Sequence, residues 1–206
     1  MASYEKALPR AKASRGLVLT ELSRLCFILG EWGDDNHRKQ YFKKGVHYAK
    51  LLRREQPRRV EGYYWLALNL GGLAEMSGAW QGLHLVSVIV KDMKIAARLD
   101  PGYNQAGPDR VLGRIYFKAP AWPLSVGNLH KSLRYLRAAV KLAPNNSTNH
   151  LYLAETLLQL GKSSQACREL EKAFRATSHA HWAPDLKKDH QKAHHLLQVC
   201  PTGPVK

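Results

Sequence analysis

Cysteine is scarce in this chain. Its three cysteines, Cys26, Cys167 and Cys200, are far apart, odd in number and match neither CxxC nor CxxCH, so no disulfide framework or haem attachment is indicated. Long apolar runs are missing as well. Glu21 and Arg24 interrupt the first apolar stretch, and Lys91 and Asp92 end the run from Leu83 to Val90, well short of the roughly 18 to 20 residues of a membrane span. There is no phosphate loop, no GxSxG and no HExxH, which removes the commonest sequence grounds for catalysis, and no cofactor is expected. Acid is outnumbered: 16 Asp and Glu face 32 Lys and Arg, leaving a formal charge of +16. Such a balance favours an anionic partner, whether nucleic acid, an acidic protein segment or a lipid surface.

What is present is enough to fold. A hydrophobic fraction of 45% in 206 residues lies in the ordinary globular range and far from the disordered one. Lys6, Arg10, Lys12 and Arg15 ahead of an apolar segment superficially resemble a secretory signal, but that segment is itself charged. Leu22-Ser23-Arg24-Leu25 before Cys26 also lacks the small residues of a lipoprotein site. A cytoplasmic location is expected, or a periplasmic one should a signal segment precede this sequence.

The organising feature is a repeat. Asn149 to Ala176 carries helical apolar periodicity that breaks once at Gly161 and resumes. Leu153, Ala154 and Leu157 form one stripe, while Ala166, Leu170 and Ala173 form the facing one, with alanines where two helices must approach closely. This is the tetratricopeptide pattern at its period of roughly 34 residues. Helix ends recur at Pro57, Pro101 and Pro144, which lie 44 and 43 residues apart, so earlier units are longer. The expected fold is all-α, a stack of antiparallel helical hairpins of the α-solenoid kind with a polar-backed capping helix at the C-terminus. Helices are predicted over 14–31, 37–55, 59–77, 83–99, 108–117, 128–142, 147–160, 163–176 and 185–199. Pro108-Asp109 and Pro184-Asp185 both suit helix starts. One repeat domain is expected over 14–200, with a poorly ordered segment at 1–13 and a flexible tail at 201–206.

The stretch Val60 to Glu75, then Gly107 to Gly113 (GPDRVLG), Tyr116 to Pro120 and Leu124 to Asn128 (LSVGN) resemble the T-component family of TRAP transporters. That resemblance implies a tetratricopeptide fold that associates with a periplasmic substrate-binding protein. It also implies export as a lipoprotein, oligomers and a pore through the repeat array. The sequence departs from this pattern in having no lipobox.

Candidate residues follow from the repeat register. First helices of each hairpin line the concave surface in such folds, which assigns Tyr64, Leu68, Arg110, Arg114, Phe117, Leu151, Glu155 and Gln159 to a partner groove. Arg110 and Arg114 share a helical face and could clamp a carboxylate of an acidic peptide, or could instead pair with local acids such as Asp109 and Glu155. A second feature is the basic segment 37–59, in which Lys39, Lys43, Lys50 and Arg54 form one stripe able to follow phosphates or an anionic surface, or simply to face solvent. His190 and His194, with His179, His181 and His195, are read as surface histidines and not as a metal site. Trp32, Trp80 and Trp122 near the turns are read as plugs between units, with an aromatic rim around a ligand pore as the alternative. Cys167 is read as a small packing residue. The expected activity is non-enzymatic protein binding, with nucleic-acid or anionic-surface binding and small hydrophobic ligand carriage as alternatives, and homo-oligomers allowed.

Overall fold

The computed structural model describes residues 1–9, 11, 13–34, 36–77, 79–177, 183–198 and 200. Trp80, Pro184 and Asp185 have side chains outside the described set, and His179 and His181 lie outside it altogether. Among the described residues ten helices follow one another: α1 (Ala2–Ala7), α2 (Arg15–Trp32), α3 (Arg38–Glu55), α4 (Val60–Glu75), α5 (Ala79–Leu99), α6 (Tyr103–Lys118), α7 (Leu129–Leu142), α8 (Ser147–Gln159), α9 (Ser163–Arg175) and α10 (Ala183–Leu197). The predicted all-α, tetratricopeptide-like stack of antiparallel hairpins is what the chain forms. It divides into two compact units, Met1–Asp100 and Pro101–Lys206.

In the first unit each helix packs on the next, and α2 also packs on α4. Helix α4 is apolar around most of its circumference, so it is buried on several sides, as a helix without a polar back must be. Gly30 of α2 and Gly72 of α4 leave no Cβ where the Phe42 ring of α3 inserts: a Cβ on either would lie 2.5 or 2.4 Å from that ring. Phe27 adds ring contacts to Phe42 at 6.3 Å and to Trp65 at 5.9 Å, completing an aromatic centre. Helix α1 is held to α3 by Glu5, which accepts a 2.9 Å bond from Tyr48 and lies 3.4 Å from Lys44 Nζ.

In the second unit alternate helices also meet, α6 with α8 and α8 with α10. The turn from α8 to α9 uses Gly161 at φ 70°, a conformation that costs other residues about 1 kcal/mol or more. Helix α6 departs from the predicted start at residue 108. A left-handed turn at Asn104, Gln105 and Ala106 (φ 51°, 56° and 60°) precedes the regular right-handed helix, so Pro108 does stand near the beginning of the latter. Helix α10 caps α8 and α9. Its buried Asp189 accepts 2.7 and 2.5 Å bonds from the Ser147 and Thr148 hydroxyls at the α8 N-terminus, where the helix dipole also favours an anion. A Cys167–Cys200 disulfide ties the end of α10 to α9. This corrects the reading of Cys167 as mere packing: α10 folds back along α9, and that return places two cysteines 33 positions apart within bonding distance. Cys26 is free and buried, and burial pushes its thiol up to about 12.

Candidate partner-binding surfaces

The second unit brings several of the predicted groove residues together. Arg114 of α6, Glu155 of α8 and Lys192 of α10 form a ladder, with Arg114 Nη1 2.8 Å and Lys192 Nζ 2.6 Å from the two Glu155 oxygens. The Arg114 guanidinium lies 4.3 Å from the Tyr152 ring centroid and 5.1 Å from that of Phe117. Repeat register therefore brings Arg114, Phe117 and Glu155 together as expected, while Lys192 and Tyr152 join them unannounced. That gap has a cause. The register of α10 is legible only through its apolar stripe, and Tyr152 lies outside the stripe of Leu153, Ala154 and Leu157 that the repeat marks. Leu151 is buried, and Gln159 is exposed at the end of α8.

Arg110 has a different occupation. Its guanidinium donates to the carbonyls of Gln105 at 2.9 Å and Asn104 at 3.2 Å, and to Asn149 Oδ1 at 3.1 Å. Asn149 in turn donates to the Gln105, Ala139 and Ala143 carbonyls, and Asn146 donates to the Gln105 side chain at 2.6 Å. Two of the three consecutive left-handed residues, Asn104 and Gln105, offer their carbonyls to this guanidinium. Arg110 is thus part of the fold's own polar network, a use that neither predicted alternative included. Neighbouring Asp109 is buried, which raises its carboxyl above the ordinary range despite the Arg134 charge.

Tyr64 and Leu68 belong to the first unit. Tyr64 is a core residue, packed edge-on against Trp65 at 5.2 Å, because the broadly apolar α4 leaves that position no open face. This corrects its assignment to a groove surface. Leu68 is half-buried.

Helix α3 sorts its cations onto two sides. Arg53 donates to both oxygens of buried Asp92 at 3.0 and 3.1 Å, Arg38 donates to the Gly30 carbonyl at 2.7 Å, and Lys44 approaches Glu5. Burial raises the Asp92 carboxyl, and the Arg53 charge opposes that rise. On the other side Lys39, Lys43, Lys50 and Arg54 are all exposed, and none has an ion-pair or hydrogen-bond partner among the described residues. Exposed His47 lies on the same stripe, one turn beyond Lys43. Nothing in α3 before Glu55 is acidic, so no group of the helix itself neutralises this face.

The tryptophans do not act alike. Trp32 is partly exposed, and Trp122 is 86% exposed, which overturns its reading as an inter-repeat plug: the loop that carries it turns away from the core. On α10, His190 and His194 lie beside Phe174 at 5.4 and 6.4 Å. Among the described residues no three His, Cys, Asp or Glu converge as metal ligands. No helix among them is long and apolar enough to cross a membrane.

Compared with known proteins, residues 3–119 match the family model described as Regulator of microtubule dynamics protein 1-3. No curated protein matches the chain. Among solved structures it is similar to TTC0263, a thermophilic tetratricopeptide protein of Thermus thermophilus. The identity is 22% and the TM-score 0.69, over 93% of this chain and 87% of that one. At that identity the likeness establishes the fold.

Proposed function

Since the chain belongs to the Regulator of microtubule dynamics protein 1-3 family, we propose that it is a non-enzymatic tetratricopeptide-like scaffold that binds an acidic protein surface through the outer stripe of α3. The observation that carries this reading is the difference between free and occupied cations. A carboxylate approaching Arg114 must displace Glu155, and one approaching Arg110 must displace three hydrogen bonds of the fold. A carboxylate approaching Lys39, Lys43, Lys50 or Arg54 displaces only water. Exchanging solvent for a charge-assisted contact costs far less than breaking an internal one. The family's description names microtubules, which makes polymerised microtubules the first partner to try.

The Arg114–Glu155–Lys192 ladder keeps a surplus of one positive charge, so the predicted groove stays available as a weaker, secondary contact for an acidic peptide. A transporter-associated role would use the same scaffold on a substrate-binding protein, and segments 107–113 and 124–128 are the part of the sequence that favours it. We place the protein in the cytoplasm. The Cys167–Cys200 pair supplies a readout of compartment, because thiol labelling of protein taken directly from its cell distinguishes reduced from oxidised cysteines.

The test is co-sedimentation of the full chain with polymerised microtubules over a salt series. The Lys39→Glu/Lys43→Glu variant should bind at least about tenfold more weakly, the equivalent of ~1.4 kcal/mol. Wild-type affinity should fall as salt rises. Tighter binding to duplex or single-stranded nucleic acid than to microtubules, with a steep linear log–log salt slope, would replace this reading with the nucleic-acid one.

A further inference from the structure

The loop between α6 and α7 is held by its own backbone hydrogen bonds. Gly127 N–H donates to the Pro120 carbonyl at 2.8 Å, Asn128 N–H to that of Tyr116 at 2.8 Å, and Leu124 N–H to that of Ala121 at 3.1 Å. A Cβ at position 127 would lie 2.0 Å from the Ala119 oxygen, so the two arms of the loop press directly on one another. These bonds lift the segment Ala119 to Leu124, which contains no charged side chain, into a tongue. Residues 120–124 are all exposed, with Trp122 at 86% and Leu124 at 65%. Trp122 and Leu124 together make the tip of the tongue an exposed apolar patch.

Along the chain on either side of the tongue the charged side chains are all basic. No Asp or Glu occurs between Asp109 and Glu155, a span that includes Lys118, Lys131, Arg134, Arg137 and Lys141. Lys118 stands at the foot of the tongue. In the first turns of α7, exposed Lys131 lies over the Tyr116 ring at 5.5 Å, and exposed Arg134 lies over that of Tyr135 at 4.9 Å.

We propose that this tongue is a wedge that inserts Trp122 and Leu124 into the interface of an anionic lipid bilayer, with Lys131 and Arg134 on the headgroups. Three considerations select lipid. A Trp, a Pro and a Leu at a tip offer on the order of a few hundred Å², well below the roughly 800 Å² per partner of a stable protein interface. A second copy of the chain brings its own +16 charge against the same positive surface. An indole among cations matches the headgroup region, where aromatic rings settle and each nearby cation strengthens attraction to anionic lipid. The tongue uses none of the residues of the α3 stripe and does not rest on the reading of that stripe.

The experiment is flotation of the full chain with vesicles of phosphatidylcholine alone or of equimolar phosphatidylcholine and phosphatidylglycerol. The wild type should float with the anionic vesicles and only weakly with the neutral ones. Trp122→Ser/Leu124→Ser should lower partitioning on the order of tenfold, whereas Trp122→Phe should keep most of it. Brominated acyl chains should quench wild-type tryptophan emission more than that of Trp122→Phe, a readout that decides the matter even should the double serine variant fold poorly. No flotation of the wild type would overturn the proposal. So would unchanged flotation of a folded double serine variant, or loss in Lys39→Glu/Lys43→Glu with none in the tongue variant. A concentration-dependent dimer that the tongue variant abolishes, without vesicle binding, would overturn it in favour of a second copy.

Discussion

The two units spend their positive charge differently. In the second, Arg110 closes a left-handed turn and Arg114 is locked between Glu155 and two aromatic rings, so both arginines hold the structure together. In the first, α3 commits Arg38, Lys44 and Arg53 inward and leaves Lys39, Lys43, Lys50 and Arg54 facing water without partners among the described residues. Residue type is nearly the same in the two places, and function follows from whether an acceptor lies within reach. A cation with an internal acceptor contributes stability. One without it adds repulsion and is available to a ligand.

The largest expected effect falls on the second unit alone. Cys200→Ser should destabilise that unit by about 3–4 kcal/mol, from the chain entropy released when a loop of this length is no longer closed. Hydrogen exchange should show α10 losing protection first, while helices α2 to α4 keep theirs. Equal loss in both units would mean that they unfold together. Next comes Arg110→Ala, which removes three hydrogen bonds from the 104–106 turn network and should cost about 2–3 kcal/mol in urea unfolding. A variant as stable as the wild type would return Arg110 to the residues open to a partner.

A smaller effect is read by its sign. Burial raises the Asp189 carboxyl, against the Thr148 and Ser147 hydrogen bonds that lower it, so its folded pKa lies above its unfolded one. Its contribution is then fully present below the unfolded value of about 3.9 and is lost as pH rises through the folded value. The stability of the wild type relative to Asp189→Asn should therefore increase on acidification. Glu169 runs the other way: burial raises it, but His150 and Lys172 outweigh burial and leave it lowered, so its contribution is lost as pH falls.

Helical periodicity makes most of the fold legible, because an apolar stripe repeating at 3.6 residues specifies both a helix and the side it buries. Eight predicted helices begin within four residues of their observed starts; α6 is the exception. A left-handed turn at Asn104 to Ala106 carries no glycine, so the usual sequence sign of positive φ is absent there. Side-chain occupation is the other illegible part. Pairing of Arg114 with Glu155 is among the readings, but the carbonyls that hold Arg110 belong to a backbone conformation that sequence does not announce. The Cys167–Cys200 bond is equally hidden, since it depends on α10 returning along α9. Trp122 looks like core because tryptophan usually is; its exposure follows from hydrogen bonds within the loop backbone, to which its side chain contributes nothing.

The smallest expected change tests the comparison most directly, because free charge should carry a small stability cost. Lys39 and Lys43 lie in the first two turns of α3, near the positive end of its dipole, and are four residues apart on one face. Both arrangements are unfavourable: each cation near a helix N-terminus costs about 0.3–1 kcal/mol at low salt, and a like-charge pair at that spacing costs about 0.2–0.5 kcal/mol. No acid in the first turn of α3 offsets either term. Lys39→Glu/Lys43→Glu should therefore raise the stability of the first unit by ~0.5–1 kcal/mol, with the gain shrinking as salt is added. The same variant is the one expected to lose its acidic partner. Greater stability with weaker binding is the signature of residues kept for a ligand, a common trade at functional surfaces. A variant that instead melts lower would show that Lys39 or Lys43 makes a stabilising contact in solution, and the contrast between the two units would then disappear.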